Sequence, residues 1–228
     1  RVFLRYIDQV LPSLGETGVV TVTLAELFPG VVADGEEPEE VAEIKGRLVW
    51  PRILARAVRQ RQGLVAGPRE ITIDGRTLRI DPRDVADAAA RARRGGQPHN
   101  VARVAFVRDM LGRLAEQYAA QMPFPIPPED RADLVEELRA TRDVRVALNL
   151  AWLPLTPQRL LESLWTHPER LEAAAPELTA EERALLARPA GSPWTPADVP
   201  LLDEAAELLG EDDQAQKAQA AEDARRRA

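Results

Sequence analysis

The tripeptide Asp203-Glu204-Ala205, after Leu201-Leu202, is the nearest thing in this chain to a catalytic box. In nucleotide hydrolases an Asp-Glu pair at the end of a buried strand holds magnesium and positions water. Here the preceding residues are Ala197-Asp-Val-Pro200, and proline cannot sit in a central strand because it lacks the ladder donor. Val199, Leu202, Ala205, Ala206 and Leu209 repeat instead at helical spacing, so the carboxylates are expected on the surface of an amphipathic helix. No G-x-x-x-x-G-K-[ST] loop is present, and neither lysine, Lys45 nor Lys217, follows a glycine. The chain itself is therefore expected to carry no catalytic residue, nucleotide site or metal site.

The remaining polar chemistry is sparse. His99 and His167 are the only histidines, and a metal site needs several converging ligands. They are expected to be structural or capping residues. Ser13, Ser163 and Ser192 lie outside any G-x-S-x-G elbow. The acidic runs Glu36 to Glu40 and Glu211 to Asp213 read as solvated, because exposed carboxylates lack the burial that tunes a pKa. The best candidates for partner or phosphate contact are arginines. Arg52, Arg56 and Arg59 share a helix face at i, i+4, i+7, and Arg91, Arg93 and Arg94 form a second set. No aromatic interleaves with them, so base stacking is not indicated. Trp50, Trp152, Trp165 and Trp194 lie beside proline or in apolar runs and are expected to anchor the core.

Composition sets the frame for these residues. The 228 residues are 45% hydrophobic but only 4% aromatic, so the core must be built of Leu, Val, Ile and Ala. A net charge of -7 disfavours general nucleic-acid binding, which rests on phosphate neutralisation. All but two of the 30 basic residues are arginine; a high-GC coding bias accounts for that more simply than selection for phosphate. The absence of cysteine excludes disulfides and thiolate chemistry and fits a cytoplasmic location. No apolar run approaches the ~18 residues that span a membrane.

The elements follow from periodicity and punctuation. Phe3, Leu4, Ile7, Val10 and Leu11 form an apolar helix face from the first turn, closed by Pro12. The chain opens on Arg1 in mid-helix with no initiator Met, so it is expected to be a piece of a longer protein. Val19 to Leu24 reads as a buried strand. Ala33 to Glu40 reads as an acidic linker. Val41, Ile44, Leu48 and Val49 form a helical stripe, and Pro51 kinks or restarts the helix. Asp74-Gly75 predicts a type I′ hairpin over 69–80, pairing Ile73 with Arg76 and Ile71 with Leu78. Asp81-Pro82 caps a helix to about Arg94. A long helix from about Pro98 to Gln121 is expected to bury Val101, Val104, Ala105, Leu111, Leu114, Ala115 and Tyr118. Pro123 to Pro128 should be extended. Further helices are expected over Glu129 to Leu150, from Thr156-Pro157 to Trp165, after the capping box Thr179-Ala-Glu-Glu182, and from Thr195 or Asp198 to Gly210. The sequence therefore reads as mainly α, with one β-hairpin.

The segment Phe3-Leu-Arg-Tyr-Ile-Asp-Gln-Val-Leu-Pro-Ser-Leu-Gly-Glu16 resembles the stretch just after motif Ia in HelD-like proteins, of the actinobacterial HelR type. These are helicase-like superfamily 1 ATPases that associate with bacterial RNA polymerase. The resemblance extends through Trp152-Leu-Pro-Leu-Thr-Pro157 and Trp194-Thr-Pro-Ala-Asp-Val-Pro-Leu-Leu-Asp-Glu-Ala-Ala-Glu-Leu-Leu-Gly210. It implies that residues 1–32 are an α/β remnant of a RecA-like motor domain, 33–210 a helical insertion domain and 211–228 a charged helical tail. The phosphate loop would precede Arg1 and the magnesium carboxylates follow Ala228, so ATP and magnesium belong to the parent hydrolase and this piece alone should be inactive. The implied partner is core RNA polymerase, at its clamp and primary channel, with DNA reached through the parent and no membrane. The implied role is to recycle polymerase from stalled complexes, this piece serving as an interaction and clamp-opening module. Thr23-Leu-Ala-Glu26 matches the position of a Thr-Phe-His-like element that contacts single-stranded DNA in UvrD-like helicases. Thr23 is thus a candidate contact, although the aromatic and the histidine are absent. The alternative is a nucleic-acid-binding accessory subdomain of a UvrD-like DNA helicase.

Overall fold

Proline and glycine divide the chain into short helices, and the apolar stripe on each decides where it packs. The computed structural model describes residue 28 and residues 30–62 and 66–210. The expected first helix, the Val19 to Leu24 strand, Thr23 and the tail 211–228 lie outside the described residues. Among the described residues the chain is mainly α, with ten α-helices and one antiparallel hairpin.

Helices α1 (Glu39–Lys45) and α2 (Trp50–Arg59) come first. The hairpin follows as β1 (Arg69–Ile73) and β2 (Arg76–Ile80). Then come α3 (Pro82–Arg93), α4 (His99–Ala120), α5 (Asp130–Ala140) and α6 (Arg142–Ala151). Last are α7 (Pro157–Thr166), α8 (Pro168–Ala174), α9 (Ala180–Leu186), a 3-10 turn (Pro196–Asp198) and α10 (Val199–Leu209). Asp81 caps α3, Thr156 caps α7 and Thr179 with Glu182 closes a capping box on α9, each supplying an acceptor to an orphan amide.

The hairpin has the expected register, Glu70 opposite Arg79, Ile71 opposite Leu78 and Thr72 opposite Thr77. Asp74 and Gly75 both adopt positive φ, 48° and 75°, as a type I′ turn requires. A Cβ on Gly75 would meet nothing within 4 Å, so the cost of a side chain there is conformational alone. Gly75→Val is expected to destabilise the chain by about 1–2 kcal/mol. Thermal denaturation checks this, and an unchanged midpoint would refute it.

Two apolar clusters build the core. The first joins Val31 and Ala33 to α1, α2 and α7 to α10, with Trp50 and Trp165 edge-to-face at 5.5 Å. The second joins the hairpin to α3, α4, α5 and α6, around Phe106 and Trp152 at 5.2 Å. The chain leaves the first cluster after α2 and returns to it after α6. The outgoing and returning strands pair side by side at Gln62 and Trp152. The second cluster is thus an excursion from the first, which supplies both ends.

Four expectations need correction. The stripe through Val41 and Ile44 stops at Gly46, which caps α1, and Leu48 is 96% exposed. In α4 the buried apolar residues are Ala102, Phe106, Met110, Leu111 and Leu114, while Val101, Val104 and Ala105 are exposed. The first turns of α4 lie against Trp152, and Phe106 reaches that indole, which rotates the contact face away from the valines. The expected helix over Glu129 to Leu150 is two helices, because Thr141 takes ψ 126°. Its backbone amide and its hydroxyl both donate to the Glu137 carbonyl, closing α5. Finally α8 is an element beyond those the sequence pattern predicts. It is one short element opened by Pro168 directly after α7.

Candidate interaction surface

Arginine can serve a partner only where its guanidinium is not already used, and the two expected sets differ in this respect residue by residue. On α2, Arg56 Nε donates to the carbonyl of Ala174 at 2.6 Å, and its guanidinium pairs with Glu177. It therefore holds the end of α8 to α2. The hydrogen bond from Arg56 keeps the Glu177 carboxyl below its ordinary range, with a smaller contribution from the Arg52 charge. The Arg52 and Arg59 side chains are exposed and make no hydrogen bond or ion pair among the described residues. On α3, Arg91 pairs with Asp109 at 2.6 Å and Asp109 also accepts from Arg113. Burial pushes the Asp109 carboxyl up, but the two arginines outweigh it and hold the group below its ordinary range. Arg93 reaches Gln62 Oε1 only at 3.5 Å, and Arg94 is exposed without a partner among the described residues.

Two residues outside those sets extend the α2 side. Arg61 donates to Ser163 Oγ at 2.6 Å. Its pKa is lowered by burial first and then by the like charge of Arg170. Neither residue stood out in the sequence, because Arg61 lies past the α2 stripe and Arg170 belongs to the unanticipated α8.

The acidic stretch before α1 is not a free linker. Gly35 donates to the Trp194 carbonyl at 2.9 Å, and a Cβ at Gly35 would stand 2.9 Å from that same oxygen. Only glycine fits this approach. Glu37 then reaches a buried charge cluster, pairing with Lys45 and accepting from Thr195 Oγ1 at 2.7 Å. Lys45 Nζ also meets Asp198 Oδ1 at 2.8 Å, and Arg188 meets Asp198 Oδ2 at 2.7 Å. The hydrogen bonds to Asp198 fall on Oδ2, and Oδ1 is met by the Lys45 charge alone. Trp165 and Trp194 lie over these cations, with Lys45 5.5 Å from the Trp165 ring and Arg188 5.1 Å from the Trp194 ring. The cluster holds two positive and two negative groups, so its charges cancel inside the fold.

A second polar junction lies where the two apolar clusters meet. His99 Nε2 donates to the Leu153 carbonyl at 2.8 Å, and Nδ1 accepts from Gln62 Nε2 at 2.9 Å. Asn100 forms an amide pair with the Leu155 backbone and also donates to the Gly210 carbonyl at 3.1 Å. Arg103 Nε donates to the Trp152 carbonyl at 2.8 Å. One turn of α4 thus fastens the returning strand. His99 and His167 do not converge, and among the described residues no group of acidic and histidine side chains has metal-site geometry. Asp203 is exposed on α10 and Glu204 half-buried, as expected for a helix surface.

No protein-family model matches this sequence, and no characterised protein matches it. Among the described residues, no helix is long and apolar enough to cross a membrane. An open groove of about 420 Å³ lies between Arg69, Ile80, Ala147 and Leu150. Its lining has one charged side chain and no carboxylate or imidazole, so it offers no acid–base pair. Among the described residues the most exposed aromatic is Phe124, 78% exposed between Pro123 and Pro125.

Proposed function

We propose that this chain is a protein-interaction module of a helicase-like, RNA polymerase-recycling ATPase, with its nucleotide site elsewhere in the parent. The specific resemblance at Phe3 to Glu16, Trp152 to Pro157 and Trp194 to Gly210 supports the family. One observation carries the choice of a protein partner over nucleic acid. Of the six candidate arginines in the described residues, Arg56 and Arg91 are committed to internal carboxylates, and no aromatic packs beside the exposed ones. A net charge of -7 further opposes phosphate binding. The clamp and primary channel of core polymerase are the proposed contact region.

The alternative, a nucleic-acid-binding subdomain of a UvrD-like helicase, is favoured by one feature. Arg52, Arg59, Arg61 and Arg170 leave positive charge on the α2 and α8 side. The two readings separate in one set of measurements. The chain and its full-length parent are each tested for retention of core RNA polymerase, for ATP turnover and for single-stranded DNA binding at physiological salt. Polymerase retention by both, turnover by the parent only and weak DNA binding by the chain are expected. Tight, salt-sensitive DNA binding without polymerase retention would establish the alternative.

A further inference from the structure

The turn between α4 and α5 is built unlike the rest of the surface. It runs Met122-Pro-Phe-Pro-Ile-Pro-Pro128, so four of seven residues have φ fixed by the pyrrolidine ring. Both ends are pinned. Gln121 Nε2 donates to the Thr77 carbonyl at 3.0 Å, and Gln117 exchanges hydrogen bonds of 2.8 and 2.9 Å with the Arg79 backbone. These ties lace the last turns of α4 to β2. On the far side Ile126 packs into the second apolar cluster, and the Asp130 amide donates to the Pro127 carbonyl at 3.1 Å. Between these anchors Phe124 stands 78% exposed.

We infer that Phe124 is a preformed anchor that inserts into an apolar pocket, rimmed by lysine and arginine, on the protein this module docks with. This rests on the protein-interaction reading above. A large aromatic held outward between two prolines has little backbone freedom left to lose on binding. Buried aromatic anchors of that kind dominate interface energies. The rim chemistry follows from charge. From Glu129 to Arg139 the adjoining chain carries Glu129, Asp130, Asp133, Glu136 and Glu137 against Arg131 and Arg139, the latter paired with Glu136 at 3.1 Å. All seven are exposed and the balance stays acidic. That surface repels phosphate and anionic lipid and attracts a basic protein rim.

Phe124→Ala and Phe124→Leu are made in the full-length parent and in the chain, and binding to immobilised core RNA polymerase is measured. Phe124 is exposed, so both variants should keep the wild-type far-UV spectrum and melting midpoint. Phe124→Ala is expected to weaken binding about 30-fold, Phe124→Leu less, and Glu129→Gln with Asp133→Asn should flatten the salt dependence of the association rate. Equal affinity of wild type and Phe124→Ala, with wild type bound, overturns the anchor and leaves the function standing. Failure of wild type itself to bind overturns the function and the inference that rests on it. Self-association of wild type that Phe124→Ala abolishes also overturns the inference, since the occupant would be a second copy.

Discussion

Asp198→Ala is expected to destabilise the chain by about 3–5 kcal/mol, the usual cost of removing one partner from a buried ion pair. Asp198 is fully buried, and it faces both Lys45 and Arg188. Its Oδ2 also accepts from the Thr195 amide, which caps the turn into α10. Alanine leaves two cations against the single carboxylate of Glu37 and orphans that amide. Lys45 is one of only two lysines in an arginine-rich chain. A compact ammonium on a flexible stem fits between two carboxylates where a planar guanidinium would need more room. Urea unfolding followed by tryptophan fluorescence gives the measurement, since Trp165 and Trp194 lie over the cluster cations. The apolar double variant Lys45→Met with Asp198→Leu should lose less than the sum of the single changes, because it leaves less charge stranded. A loss below about 1 kcal/mol for Asp198→Ala would place it among ordinary surface changes and refute the structural role given to the cluster.

What could be foreseen divides by sequence separation. The hairpin was legible to the residue because Asp74-Gly75 fixes both turn type and register within two positions. The caps at Asp81, Thr156 and Thr179 were legible for the same reason, each acting over two or three residues. The rotation of α4 was not, since its apolar residues are compatible with two neighbouring faces and Trp152, on another helix end, chooses between them. The split at Thr141 was also hidden: no proline or glycine marks it, and the residues on either side read as one helix. The arginine candidates were visible as residue types but not as contacts. Arg56 meets a carboxylate 121 positions away, and Lys45 meets Thr195 at a separation of 150. Pairings at that distance are set by the fold and leave no local signature. The acidic stretch before α1 was misread for this reason. Glu37 looked solvated beside four other carboxylates, yet Gly35 and Ala33 carry the chain inward so that Glu37 reaches Lys45.

Acidification below about pH 6.5 is expected to destabilise the chain through His99, by about 3 kcal/mol when the pH reaches 4. Burial holds the imidazole pKa down at about 4; the bond to the Leu153 carbonyl pulls it up, and the Arg103 charge pulls it down further. Above about 6.5 the histidine is neutral in both folded and unfolded chains and contributes no slope. Between 6.5 and 4 the unfolded chain binds a proton that the folded chain refuses, so stability falls as the pH drops. The geometry explains the refusal. Nε2 already donates to Leu153, so a second proton must enter at Nδ1, where the Gln62 amide is itself a donor. Turning the Gln62 amide would offer its oxygen to the imidazolium but set its NH2 against the Arg93 guanidinium. Because His99 lies between the two apolar clusters, its protonation should loosen the junction before either cluster. The measurement is urea unfolding from pH 4 to 8 for wild type and His99→Gln. Carboxylates titrate in both proteins, so the difference between the two curves isolates the histidine. That difference should be flat above pH 7 and shrink by about 3 kcal/mol as the pH falls to 4. Parallel curves across the whole range would show that the imidazole is protonated as readily in the folded chain as in the unfolded one.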